Sequence, residues 1–195
     1  MIIKKALNNV TVITAVHNCF DFLPKMLESV ENQRYLPAKH IIVDDYSTDG
    51  SDILLKDYSR RNNFVKLVRL NKNKGAAAAR NIAISLSSTR WIANLDADDI
   101  FDSERLSAFQ DYQSRLMPNT TMVGSWCYVL NQDSKRGPYT LPEDDANLRE
   151  NLLKGGRVMA HSSVVYNRDT LNVLGGFDEN MPGWGGEDDD FRRRL

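Results

Sequence analysis

Short β-branched runs alternate with helical repeats along the first two thirds of this chain, and that alternation limits the fold more than any other feature. Residues 10–16, VTVITAV, form a continuous apolar run, the signature of a strand buried on both faces. Leu23, Met26, Leu27 and Val30 follow at the i, i+3, i+4, i+7 spacing of one helical face. The unit then recurs. Strands are expected at 40–44, 64–70 and 91–95, and helices at 51–61, 76–86 and 103–116, the second of them Ala-rich. A further strand is expected over 121–130. Strands separated by helices imply a parallel, doubly wound α/β sheet.

Beyond residue 130 the pattern weakens. Gly137, Pro138 and Pro142 suggest a hairpin and a loop up to about residue 156. A strand-like stretch at 162–166, a short helix at 169–174 stopped by Gly175 and Gly176, and an acidic helix start at 187–190 complete the reading. At 195 residues, the expectation is a single domain, 1–195.

Composition removes several classes. Twenty-five Lys and Arg against 26 Asp and Glu leave a net charge of −1, which argues against binding nucleic acid by bulk positive charge. Cys19 and Cys127 form neither a zinc pattern nor a disulfide framework, so a reduced, cytoplasmic setting is expected. The amino-terminal residues lack the apolar core of a signal peptide, and the longest apolar run is far short of a membrane span. There is no GxxxxGK[ST], no GxGxxG after the first strand and no GxSxG. A calcium loop starting at Asp45 fails because its twelfth residue is Lys56.

Three acidic clusters remain: Asp44-Asp45, Asp96 to Asp99, and Glu187 to Asp190. The first two follow strands, at the edge where open α/β sheets bind ligands. Asp96 and Asp98, two residues apart beyond a strand, can converge on Mg²⁺ or Mn²⁺ and leave positions for phosphate oxygens; they also fit helix capping. Asp45 can accept from a base or ribose, or serve a turn, while Ser47 and Asp49 read as caps of the following helix. Lys72, Lys74 and Arg80 flank a helix start whose amides suit a diphosphate, or form a solvated basic turn. Glu187 to Asp190 open a helix ending in three arginines, which suits the helix dipole, yet four acids exceed what capping requires. Trp184 and its glycines suit a shaped pocket.

Together these segments resemble the family 2 glycosyltransferases of GT-A fold. The carriers are VDDYSTDGS at 43–51, NKGAAAARN at 73–81, NLDADD at 94–99, GGFDE at 175–179 and WGGEDDD at 184–190. The last also resembles a motif of galactosyltransferases and chondroitin-type polymerases. Two positions depart from the pattern: Ala15 stands where Pro is common, and Tyr46 replaces a frequent Gly.

The resemblance implies a Rossmann-like, mostly parallel sheet flanked by helices, with a nucleotide-sugar-binding half (about 1–130) and an acceptor-side half (about 131–195). It implies an inverting transfer from a nucleotide-diphosphate sugar, UDP-linked, to a glycan or lipid-linked acceptor in surface or capsular polysaccharide synthesis. Asp188 would be the catalytic base with Glu187 beside it. Ala15, Asp45, Lys74, Arg80 and Asp96 would bind the nucleotide sugar, Trp184 and Gly185 the acceptor, and Asp98 with Asp96 an Mn²⁺ or Mg²⁺ ion. Peripheral association with the inner face of the membrane follows from such an acceptor. Family members usually continue past the acidic motif, so a carboxy-terminal truncation is expected. The alternative is a non-catalytic nucleotide-sugar-binding module or an inactive fragment. A sugar nucleotidyltransferase is disfavoured because residues 17–21, HNCFD, lack its glycine-rich loop.

Overall fold

The computed structural model describes residues 4–131, 134–140, 143–154, 159–181 and 186–195. β1 (Val10–Val16), α1 (Leu23–Glu31), β2 (Lys39–Asp44), α2 (Ser51–Arg61), β3 (Val65–Arg69), α3 (Ala76–Ser85) and β4 (Trp91–Asn94) follow one another as expected. Then come α4 (Arg105–Tyr112), a 3-10 turn (Gln113–Arg115), β5 (Met122–Val123), β6 (Cys127–Asn131), β7 (Ser134–Tyr139) and α5 (Asp145–Leu153). A second 3-10 turn (His161–Ser163), β8 (Val165–Asn167), α6 (Arg168–Val173) and α7 (Glu187–Arg194) close the chain.

Six strands form one sheet in the order β3-β2-β1-β4-β8-β5, and β6 with β7 forms a separate hairpin. β1 lies at the centre, parallel to β2 on one side and β4 on the other. Its alternating side chains feed two cores. Val10 and Val12 join Leu23, Met26, Leu27, Leu55 and Phe109 on one face. Ile13 joins Ala79, Ala83, Tyr166, Phe177 and Phe191 on the other. Burial on both faces is why the strands read as unbroken apolar runs.

β8 runs antiparallel to both β4 and β5, a departure from an all-parallel sheet. The reason lies in the connection. β5 ends at the same edge as β4, since Val123 and Ala93 both pair with Val165. β8 begins at Val165, beside those two residues, so the chain re-enters the sheet from the edge where β5 left it and runs back down. That edge is the one where open α/β sheets bind ligands.

Three boundaries differ from expectation. The helix expected over 103–116 is shorter: it tightens into the 3-10 turn and becomes extended at Leu116 (ψ 139°), ahead of Pro118, which disfavours helix in the residue before it. The strand expected over 121–130 is two strands, split at Gly124, where a Cβ would overlap the Met159 thioether. α5 occupies part of the expected loop. Asp144 caps it, taking the Asn147 amide at 2.9 Å, and Asp145–Arg149 and Glu150–Lys154 pairs line its exposed side. No helix among the described residues is long and apolar enough to cross a membrane.

Candidate active site

The first wall is built where β1 and β2 end. The Asp45 amide donates to the Val16 carbonyl at 2.7 Å, and His17 Nδ1 donates to the Asp45 carbonyl at 2.8 Å. Ala15, half-buried in β1, pairs in register with Val43. Asn18 turns left-handed (φ 53°), donates its amide to Ser47 Oγ at 3.0 Å and takes the Thr48 amide on Oδ1 at 2.9 Å. Ser47 thus staples the exit of β1 and does not cap α2, a correction to its expected role. Asp49 does meet the helix, accepting from the Ser51 amide at 3.0 Å as well as from Phe20 at 2.9 Å. Tyr46 has φ 65°, a backbone state that costs a side-chain-bearing residue strain and costs glycine none.

Asp45 is 2% exposed, and its carboxylate is spent on backbone. Oδ1 accepts the Lys74 amide at 2.7 Å and Oδ2 the Gly75 amide at 2.8 Å. The turn that launches α3 is thereby tied to the end of β2. The Lys74 side chain is exposed beyond it. Those two amides face Asp45, so an anion at this helix start is left with the amides of the first helical turn.

Arg80, one and a half turns into α3, is the centre of the site. Its side chain is 9% exposed and lies over the Phe177 ring. Nη2 donates to Asp96 at 2.9 Å and Nη1 to Glu187 at 2.5 Å. One guanidinium therefore joins the loop after β4 to the first residue of α7, 107 residues away. Burial opposes its charge, and the two carboxylates more than restore it, so Arg80 holds its proton above the ordinary arginine range.

Asp96 is locked from several sides. Its amide donates to Ser162 Oγ at 2.9 Å, Oδ1 also accepts from Asn94 at 3.0 Å, and Oδ2 lies 3.7 Å from His161 Nδ1. Burial works against its ionisation; the charge that His161 carries at low pH, the Arg80 guanidinium and the Asn94 amide outweigh it, holding the carboxyl below the usual range. Burial also pushes the His161 imidazole down to about 4, so it is neutral at pH 7. Asp98, two residues on, is exposed.

The described residues hold no group of three or more His, Cys, Asp or Glu placed to cage a metal ion. The arrangement fits the looser mode of Mg²⁺ and Mn²⁺, in which one or two carboxylates share the ion with substrate phosphates. Asp98 is open to that role, while one oxygen of Asp96 is already committed to Arg80 and Asn94.

Asp188 lies one residue past Glu187 on α7 and pairs with Arg192 one helical turn on. Arg192, 4% exposed, also donates to the Met159 carbonyl at 2.6 Å. So Arg80, Asp96, Glu187 and His161 meet in one cluster, with Asp188 beside it, while Asp45 and Lys74 build a separate corner. Trp184 and Gly185 lie outside the described residues.

Sequence reasoning assigned no role to Asn81, Ser162 or Arg105. Asn81 clamps the GGFDE loop to α3: it accepts the Phe177 amide at 2.9 Å and donates to the Phe177 carbonyl at 2.8 Å and to Glu179 at 2.9 Å. Gly176 (φ 75°) packs against it so closely that a Cβ would overlap Asn81 Oδ1. The paired glycines at 175–176 were the visible signal.

Residues 11–174 match the sequence model of glycosyl transferase family 2, and the chain belongs to that family. Residues 157–195 also match the N-terminal domain of galactosyltransferase. The fold is GT-A: S. aureus TarS superposes with a TM-score of 0.73 over 94% of this chain and 53% of its own, at 20% identity. TarS has been solved with UDP and with UDP-GlcNAc. The mannosyltransferase PcManGT from Pyrobaculum calidifontis, solved with GDP-Man and Mn²⁺, gives a TM-score of 0.70 at 21% identity, over 94% of this chain and 50% of its own. Among curated relatives, the Escherichia coli enzymes WfaP and WfgD are each a UDP-Glc:α-D-GlcNAc-diphosphoundecaprenol β-1,3-glucosyltransferase. WfaP is 38% identical over 99 residues, half of this chain, and WfgD 28% identical over 163 residues, 84% of it. These matches span 38% of WfaP and 62% of WfgD.

Proposed function

We propose that this chain carries the catalytic core of an inverting glycosyltransferase. It moves a hexosyl or N-acetylhexosaminyl group from a UDP-sugar to a glycan or lipid-linked acceptor in surface polysaccharide synthesis. The observation that carries the reading is the Asp96–Arg80–Glu187 bridge, which places the DxD loop against the start of the acidic helix. Donor-side and acceptor-side carboxylates thus share one floor. The UDP and lipid-linked acceptor of the relatives support the choice of substrates.

In this mechanism the acceptor hydroxyl attacks the anomeric carbon from the face opposite the diphosphate. Asp188 takes its proton, an effect worth roughly 10²–10⁴-fold, and Arg192 orients that carboxylate. Asp45 and Ala15 shape the corner for the nucleoside, Lys74 stands at its rim, and Trp184 and Gly185 serve the acceptor. Arg80 and Asp96, held together, would line the diphosphate and ribose side of the donor. A divalent ion held on Asp98 supplies Lewis-acid neutralisation of the leaving diphosphate when bound.

A thermal-shift screen of UDP-, GDP- and dTDP-sugars, with and without Mn²⁺, tests the donor, since a ligand specific to the native state raises stability with its concentration. UDP-sugars are expected to stabilise the chain most. Asp188→Asn should abolish transfer while UDP affinity stays within about twofold, and an active variant would remove Asp188 from its role as base. Donor binding with neither transfer nor donor hydrolysis in the wild type would favour a binding module.

A further inference from the structure

Arg105 opens α4 with its head group turned inward. Nη2 donates to the Ser163 carbonyl at 2.7 Å, and the buried Nε has no partner among the described residues. No carboxylate among those residues pairs with it, and burial pushes it down to about 10. The half-buried guanidinium also lies over the Phe101 ring, 5.9 Å from its centroid, and meets no counter-charge among the described residues, so an anion beside it would be favoured.

That space is a groove of about 850 Å³ running between α4, the first 3-10 turn, β5 and the two helices α5 and α7. Phe109, Leu116, Met117, Met122 and Trp126 make its walls apolar, with Met117 68% and Trp126 52% exposed. Arg115 adds an exposed guanidinium, while Arg149 and Arg192, which also line the groove, are held by Asp145 and Asp188. The acids there are Glu143 and Asp145, and Asp145 is taken up by Arg149 at 2.8 Å.

The groove adjoins the candidate site. Arg192 lines it and also binds Asp188. The His161–Ser163 turn divides the two: Ser162 holds the Asp96 amide and the Ser163 carbonyl holds Arg105.

Resting on the reading that the acceptor is lipid-linked, we propose that this groove seats the acceptor's carrier, a polyprenyl phosphate or diphosphate. The phosphate lies on Arg105 with Arg115 at its flank, and the first prenyl units lie along Leu116, Met117 and Trp126. A free glycan would leave the apolar walls wet and Arg105 without a counter-charge; a carrier of this kind joins negative charge directly to an apolar tail. The volume suits such a ligand, since small-molecule pockets run from about 300 to 1,000 Å³.

Farnesyl diphosphate is the probe, measured by calorimetry with UDP and Mn²⁺ in excess so that the donor corner is filled. The wild type is expected to bind it at least tenfold more tightly than pyrophosphate or farnesol. Arg105→Met should weaken binding about tenfold or more, and Met117→Glu on the exposed wall about fivefold, with UDP affinity unchanged in both. Pyrophosphate binding as tightly as the prenyl ester, an anion site only, would overturn the proposal, and so would unchanged affinity in both variants. Should Arg105→Met not fold, Met117→Glu decides alone. A chain that binds farnesyl diphosphate in this pattern but not UDP would sink the donor reading and leave the groove assignment standing; UDP binding without the pattern does the reverse.

Discussion

Without the Arg80 guanidinium, Asp96 and Glu187 would face each other as two half-buried carboxylates with their common cation gone. Breaking a buried pair on one side costs about 3 kcal/mol or more, so Arg80→Met should lower the melting temperature by several degrees. Arg80→Lys restores charge but not the two-pronged reach, and should recover only part of it. Melting curves of both variants check this; wild-type stability in Arg80→Met would refute the bridge. His40 makes a separate prediction. It is fully buried in β2, with Nε2 3.0 Å from Thr14 Oγ1. Burial pushes it down to about 3 from 6.5. Between those values the unfolded chain binds the extra proton, so stability rises with pH there and falls as pH drops below 6.5. The loss is about 1.4 kcal/mol per pH unit, or about 2 kcal/mol by pH 5. Thermal melts at pH 7 and pH 5 should show it, with a shallower slope in His40→Gln.

At the scale of elements, α3 is held by motif side chains at its start and along its flank: Asp45 grips its launch and Asn81, midway along it, clamps the GGFDE loop. Asn81→Ala frees the Phe177 amide and carbonyl and should cost about 1–3 kcal/mol. Gly176→Ala should destabilise strongly beside Asn81 and less in the Asn81→Ala background, because the overlapping oxygen is gone. Strict additivity in that double-mutant cycle would argue against the contact. The helices and strands of 10–95 were legible because burial writes itself into spacing. α5 was not: Pro138 and Pro142 drew attention to turns, and its signal lay in Asp144 and i,i+4 charge pairs, which are weak locally. The β5–β6 break was not legible either, since Met159, the side chain that makes Gly124 necessary, lies far along the chain. Site positions were readable as acids at strand ends. Their partners were not: that Asp45 binds the Lys74 and Gly75 amides, and that Arg105 meets the Ser163 carbonyl, are contacts across tens of residues.

For the whole molecule, a net charge of −1 conceals an ordered layout. Acids from β2, β4 and α7 gather at one edge of the sheet, with Arg80 and Arg192 among them. Donor and acceptor functions should then separate by mutation. Asp98→Ala should weaken UDP binding in Mn²⁺ about tenfold and leave metal-free UDP binding unchanged, as calorimetry with and without the ion would show. Equal affinities in all four conditions would falsify its metal role.

The chain leaves β5 after Val123 and rejoins the sheet at Val165, the residue Val123 pairs with, so the segment between starts and ends at a single rim. Its two anchor points are therefore neighbours whatever its length, and the entropic cost of lengthening it grows only slowly. Descendants of this scaffold can insert or trade whole segments there without shifting a residue in β1 to β4. On this architecture, length can change at that rim while the strands that lead into Asp45 and Asp96 stay fixed.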